Sequence, residues 1–378
     1  MATRALVALD LGSTKVACAI GMPHERSSGF ELVGSSLTPY PALGETWPGD
    51  LLMVSRTIEQ SIEATGVAGD FHRALVSVSH PALVGEHVRA TVALGDEPVP
   101  VRAHDLNRLQ RAAVDQTLAV DREPLLVQRL GCSGNGFAGA RDPRGLSATR
   151  LSGVFHIVTM PVSLRRAVVQ AVESAGLEIA RMSAALPAVM AAVADERMMK
   201  QRVLIIDVGG VSTELGLFTE GLLYRSGVLP WGGMTLATAL AREDQMTMEQ
   251  ALSVSLEGAG SRKQDVSTMV ADQWRAVEAA VATLLSGELK PDAAVVTGRG
   301  ALIDGFAEWV ERTTGIPTVL GRSERLSRMA DLSRQVGLTH AIGLLELATQ
   351  APPSVMSRSP KLFNRLVEHT KTILTEYF

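Results

Sequence analysis

The stretch Val203 to Leu217, VLIIDVGGVSTELGL, decides how the rest of the chain is read. Its opening apolar run, with two β-branched isoleucines, predicts a strand buried on both faces. Asp207 ends the run, and Gly209, Gly210, Ser212 and Thr213 follow. Such a strand exit suits a phosphate. Glycines let backbone N–H groups close on an anion with no Cβ in the way, and hydroxyls add donors. The acid cannot face phosphate directly and needs Mg²⁺ and its waters in between. Taken alone, the pattern fits an ordinary tight hairpin equally well.

A second copy changes that balance. Leu6 to Gly21, LVALDLGSTKVACAIG, again ends an apolar run in an acid, Asp10. Gly12, Ser13, Thr14 and Lys15 follow, and the chain returns to an alternating strand. One copy opens the chain and the other opens its second half. The expectation is an internal duplication: two β-hairpins whose turns face each other across a cleft and hold one phosphate chain.

Composition sets the outer limits. With 378 residues the chain has length for two or three domains and a large core. A net charge of −4 gives no general pull toward nucleic acid, and 4% aromatics argue against a base-stacking surface. Two cysteines, Cys18 and Cys132, point to a reducing cytosol without a disulfide framework. The N-terminus enters a strand directly, so no signal peptide is expected. The longest apolar run, Ala184 to Ala194, is too short to span a bilayer and contains Pro187. The eight histidines lack metal-ligand spacing and read as ordinary surface or core residues.

The texture shifts between Ser79 and Gly153. Val84 to Leu94 alternates like exposed β structure, and Asp105 to Leu118 predicts a helix capped by Asp105. Leu125 to Leu130 reads as a strand, and the Gly-, Ser- and Arg-rich Gly131 to Gly153 as a mobile surface loop. This block reads as a small α+β module inserted into the first half. The expected organisation is a first lobe of 1–78 plus 154–200, the insert at 79–153, and a second lobe at 201–349. A linker at 350–359, QAPPSVMSRS, then leads to a helix at 360–378. Pro360 suits a first helical turn. Leu362, Phe363, Leu366, Val367, Ile373, Leu374, Tyr377 and Phe378 share one face at helical spacing. That face fits a partner protein or a membrane surface, against the simpler reading of a helix folded back on its own domain.

LDLGSTK, IIDVGGVST, VVTGRG and AIGLLELA together resemble the actin/Hsp70/sugar-kinase nucleotide fold. The inserted module, ending in GLSATRLSG before VFHIVTMP, the following RRAVVQAVESAGLEI and the terminal helix resemble the FtsA family of bacterial cell-division proteins. The resemblance implies an α/β, actin-like two-domain nucleotide-binding fold with an inserted α+β subdomain and a C-terminal amphipathic helix. It implies ATP with Mg²⁺ and a peripheral protein on the cytoplasmic side of the inner membrane at midcell. It also implies actin-like self-assembly, tethering of the tubulin-like protein FtsZ, and contacts with other division proteins. By that resemblance Gly12, Ser13, Thr14 and Lys15, with Gly209, Gly210, Ser212 and Thr213, form the two phosphate turns. Asp10 and Asp207 are the metal-side acids, and Gly232, Gly233, Gly298 and Gly300 surround the nucleoside. The related pilus-assembly scaffold PilM shares fold and insert but is not expected to carry the tail.

Four departures bear on activity. Val211 replaces a usual glycine and stiffens the second turn. Arg299 replaces another and crowds the adenosine side. Leu252 and Ser253 stand where an acid and a lysine usually meet the ribose. The Ala184 to Ala194 helix offers no Gln, Glu, Asp or His to orient an attacking water, so hydrolysis is expected to be slow or absent. A small-molecule kinase on this fold would need a catalytic base that the sequence does not offer. The short, strand-poor stretch from Thr235 to Lys290 reduces the upper part of the second lobe, where the family carries its FtsZ contact.

Overall fold

The chain opens on the first of the two hairpins. Strand β1 (Leu6–Leu11) pairs antiparallel with β2 (Lys15–Pro23), from Leu6↔Gly21 to Leu11↔Val16. β3 (Phe30–Pro39) adds to β2, and helix α1 (Leu51–Glu63) follows, its first turn capped by the Asp50 carboxylate accepting from the Met53 N–H at 3.0 Å. β4 (Arg73–Val78) returns parallel to β1. The computed structural model describes residues 5–25, 27–40, 49–243, 245–247, 250–251, 263–287 and 290–350. The expected terminal helix and most of its linker, and Leu252 and Ser253, lie outside the described residues.

Next comes the inserted block: β5 (Val84–Ala93), β6 (Val99–Pro100), α2 (Ala103–Thr117), β7 (Arg122–Gly134), β8 (Phe137–Ala140), β9 (Ser147–Ala148) and β10 (Arg150–Pro161). Its main sheet runs β5-β10-β7-β8, and α2 covers one face. Two expectations are corrected here. Helix α2 begins before Asp105, which lies inside its first turn and accepts from the Arg102 N–H at 3.0 Å. The stretch from Gly131 to Gly153 is strand and turn rather than a loop. Its glycines do two jobs: a Cβ on Gly134 would lie 2.7 Å from the Phe137 ring and one on Gly153 2.8 Å from Leu109, whereas Gly136, Gly139 and Gly145 take positive φ in open space.

The chain then rejoins the first lobe through α3 (Val162–Ser174), β11 (Glu178–Ala184) and the apolar α4 (Ala185–Val193). The second lobe follows with β12 (Arg202–Val208), β13 (Thr213–Thr219), β14 (Leu222–Leu229), α5 (Gly233–Glu243), α6 (Lys263–Leu284), β15 (Ala293–Thr297), α7 (Phe306–Thr314), β16 (Thr318–Leu320), α8 (Leu332–Gly337) and α9 (Thr339–Thr349). A short 3₁₀ turn at Arg299–Leu302 precedes α7. Gly305, at φ +81°, breaks the helical run between them.

The duplication is visible in topology. The first sheet runs β3-β2-β1-β4-β11 and the second β14-β13-β12-β15-β16. In each, an antiparallel meander is followed by two parallel strands. The central strands are buried on both sides, Val7 to Leu11 and Val203 to Val208 throughout, which is why both read as near-continuous apolar runs. Helix α9 lies against β1, β2 and α4. A Cβ on Gly343 would fall 1.7 Å from the Ala188 carbonyl oxygen, so the two helix backbones touch and α9 cannot move toward α4.

Candidate functional site

Both hairpin turns close in the same way. The Gly12 N–H donates to Lys15 O at 3.1 Å, and the Gly209 N–H donates to Ser212 O at 2.9 Å. Asp10 therefore corresponds to Asp207, Gly12 to Gly209, and Lys15 to Ser212. The turns meet head-on: a Cβ on Gly210 would lie 2.5 Å from Thr14 Cγ2 and 2.6 Å from Ser13 Oγ. Asp10, Gly12, Ser13, Thr14, Lys15, Asp207, Gly209, Gly210, Ser212, Gly233, Gly298 and Gly300 line one cleft, joined by Ser79, Arg299 and His340.

Two of the expected residues do other work. Thr213 is fully buried and its hydroxyl donates to Trp231 O at 2.9 Å. Gly232 packs under the second turn, where a Cβ would be 2.5 Å from Gly210 O. The N–H groups of Gly233 and Met234, which open α5, donate to Gly209 O and Gly210 O at 3.0 and 2.8 Å. A helix N-terminus thus braces the second turn.

The two acids are almost wholly buried, and their charges are matched from within the chain. Asp10 Oδ2 accepts from Lys15 Nζ at 2.9 Å, and its Oδ1 accepts from Ser77 Oγ at 2.9 Å and from His340 Nδ1 at 3.0 Å. Asp207 Oδ2 accepts from the other ring nitrogen, His340 Nε2, at 2.8 Å, while its Oδ1 is buried without a hydrogen-bond partner. Burial opposes a charged imidazole, but the facing carboxylates of Asp10 and Asp207 prevail and raise the His340 pKa well above that of an ordinary histidine. Burial would likewise raise Asp10, yet His340 and Lys15 hold it far below the usual carboxylate range. One imidazolium therefore bridges the acids of both lobes.

This arrangement tests the expected Mg²⁺. A hydrated ion held through its waters between Asp10 and Asp207 needs the space that the His340 ring fills. Lys15 already covers the remaining Asp10 oxygen. With His340 in place the gap between the acids does not fit the ion, and both acids are instead held in ion pairs. The cleft cavity is about 80 Å³, well under the roughly 300 Å³ at which small-molecule sites begin. A nucleoside triphosphate between the turns requires them to part. Arg299 also lines this cleft, with its Nε donating to Ser333 Oγ at 3.0 Å.

Residues 82–159 match the SHS2 domain inserted in FtsA. The chain is 25% identical to the cell division protein FtsA of Pseudomonas aeruginosa, over 94% of this chain and 91% of that one. It is 23% identical to FtsA of Borreliella burgdorferi over 91% of each. The chain is FtsA-like. A chain of the PilM-PilN type IV pilus biogenesis complex superposes with a TM-score of 0.69 at 16% identity, over 93% of this chain and all of the other. The ethanolamine utilization protein EutJ of Carboxydothermus hydrogenoformans gives 0.55 at 13% identity, over 92% and 90%. These likenesses show an actin-like fold.

The FtsA-like insert is seated on the second lobe. His156 Nε2 lies 2.8 Å from Ser226 Oγ on β14, and His87 Nε2 contacts Tyr224 O. A cavity of about 450 Å³ opens beside them, bordered also by Arg225 and Thr283. Burial, with His87 adding to it, pushes the His156 pKa down to about 3, so this ring is neutral.

Sequence reasoning missed His340, Ser77, Ser79 and Glu214. Glu214 is fully buried beside Asp207 across the β12–β13 ladder, with Oε1 unpartnered. Burial, only partly offset by a Ser79 hydrogen bond, pushes it up to about 7. The available signal for His340 was its place three residues before Gly343 in THAIGLLELA, one helical turn from the tightest backbone contact. Metal-ligand spacing is a local pattern and cannot report a histidine whose partners lie more than a hundred residues away.

Proposed function

We propose that this chain is a division scaffold that assembles into actin-like filaments on the cytoplasmic face of the inner membrane at the septum and tethers FtsZ there. Pro360 to Phe378 serves as the membrane foot. One observation carries the reading: the FtsA insert sits within a duplicated actin-like fold whose relatives along nearly the whole chain are cell-division proteins. No helix among the described residues is long and apolar enough to cross a bilayer. One terminal amphipathic helix binds lipid weakly. A filament presenting many binds firmly, because each later contact is intramolecular.

In this reading ATP is a ligand of a parted cleft, not a substrate. Gly12 to Lys15, with Gly209, Gly210 and Ser212, would meet the phosphates, and Gly298 and Gly300 the nucleoside. Helix α4 brings no acid, amide or histidine to orient water. The deciding experiment is sedimentation with anionic phospholipid vesicles, full chain against a chain lacking residues 360–378, with and without FtsZ. The full chain should carry FtsZ down with the vesicles and the truncated chain should leave both in solution. Equal vesicle binding by the two would overturn the membrane foot and favour a pilus-type assembly scaffold of the PilM kind.

A further inference from the structure

The cleft holds one more imidazole than its role requires. His340 reaches it from the first turn of α9, and that helix is fixed by the Gly343–Ala188 backbone contact. Its two nitrogens face carboxylate oxygens from different lobes at 3.0 and 2.8 Å. The ring lies along the line between Asp10 and Asp207, and Lys15 closes the outer side of Asp10. The corresponding position in the second turn is Ser212, which carries no charge, so Asp207 depends on His340 for its counter-ion. With the tips in contact at Gly210, nothing remains for a cation to do there.

We propose that His340 stands in for a divalent cation in this cleft, so that the chain closes its two lobes with its own side chain and without Mg²⁺ or nucleotide. This rests on the scaffold reading only for its purpose, assembly that needs no nucleotide cycle; the geometry is independent of it. The claim concerns occupancy of space. A ring that bonds both acids at once fills the gap between them and leaves only the buried Asp207 Oδ1 without a partner, too little to hold a hydrated ion between the two acids. Removing the ring reverses this. His340→Ala leaves two buried carboxylates facing each other, one of them with no counter-charge, and such a pair is a ready cation site.

The test uses the full chain, with Mn²⁺ as the probe. Its binding is followed by electron paramagnetic resonance, and melting is followed in parallel in EDTA and in millimolar MgCl₂. The wild type should leave Mn²⁺ free and melt at the same temperature in both buffers. His340→Ala should melt lower in EDTA, recover as Mg²⁺ is added, and bind Mn²⁺ in a manner abolished by adding Asp10→Asn. His340→Gln, neutral and of similar reach, serves if the alanine variant fails to fold. The proposal falls if wild-type protein binds Mn²⁺ and loses it with Asp10→Asn, or if ATP binds the wild type only when Mg²⁺ is present. Neither result touches vesicle sedimentation, and failure to sediment would leave the His340 result standing, so the two readings fail separately.

Discussion

Two of the contacts between the second lobe and the rest of the chain are each built around one buried histidine, in opposite charge states. In the cleft, His340 lies between Asp10 and Asp207 and is held charged. At the insert, His156 lies against the Ser226 hydroxyl, has His87 as its neighbour and is held neutral. Each contact has a glycine at its closest approach, Gly210 in the cleft and Gly85 at the insert. The same side chain thus serves as a cation in one seam and as a small polar spacer in the other. The neighbours decide which: two carboxylates outweigh burial, whereas a hydroxyl and another imidazole do not.

The largest expected effect lies in the charged seam. Asp10→Asn keeps the shape but leaves Lys15 and His340 without one of their anions. Breaking a buried ion pair by removing one partner costs about 3–5 kcal/mol. Asp207→Asn should cost less, about 1–3 kcal/mol, because His340 keeps Asp10 and the Asp207 Oδ1 already lacks a partner. Urea unfolding of the full chain measures both. Equal losses would mean that the two turns are electrostatically equivalent, and the asymmetry between Lys15 and Ser212 would carry no weight.

The neutral seam is tested by acid. The His156 pKa falls from about 6.5 to about 3 on folding. The unfolded chain therefore takes up this proton first, and the stability tied to the neutral ring is full above pH 6.5 and is lost as pH falls toward 3. The slope reaches about 1.4 kcal/mol per pH unit, or roughly 2 kcal/mol between neutral pH and about pH 5. His156→Gln should flatten this part of the curve. Parallel curves for variant and wild type would show that His156 is already charged in the folded protein.

The difference between the seams also explains what could be read from sequence. Both hairpins, the paired acids and the buried central strands were legible, because each is a local pattern of apolar runs and glycines. The matching strand orders followed from the repeat. The contents of the seams were not legible. His340 meets its partners across 330 and 133 residues, and His156 meets Ser226 across 70. The Gly-rich Gly131 to Gly153 misled in a related way. Glycine composition does not tell a packed glycine from a turn glycine: Phe137, Ala148 and Leu109 pack where Gly134 and Gly153 lie, while Gly136, Gly139 and Gly145 take positive φ in open space. Gly232 and Gly233 were both expected around the nucleoside; Gly233 lines the cleft, whereas Gly232 packs beneath the second turn.

The smallest expected effect discriminates most finely. Ser226→Ala removes the hydroxyl facing His156 Nε2 and should cost about 1 kcal/mol, the ordinary net worth of one hydrogen bond. Gly85→Ala places a Cβ 2.1 Å from Ser226 Oγ and about 3.0 Å from the His156 ring, so it should cost about 1–3 kcal/mol alone. In the Ser226→Ala background the nearest obstacle is gone, and the same glycine substitution should cost less. Gly210→Ala has no such relief from one partner, because it meets both Ser13 and Thr14. The double-mutant cycle at the insert should therefore show coupling of about 0.5 kcal/mol or more. In the cleft, Gly210→Ala combined with Ser13→Ala should stay nearly additive, since Thr14 still blocks the new methyl group. Coupling of equal size in both seams would mean that the cleft tips yield as easily as a single serine does, and a contact that loose could not hold His340 between its two acids.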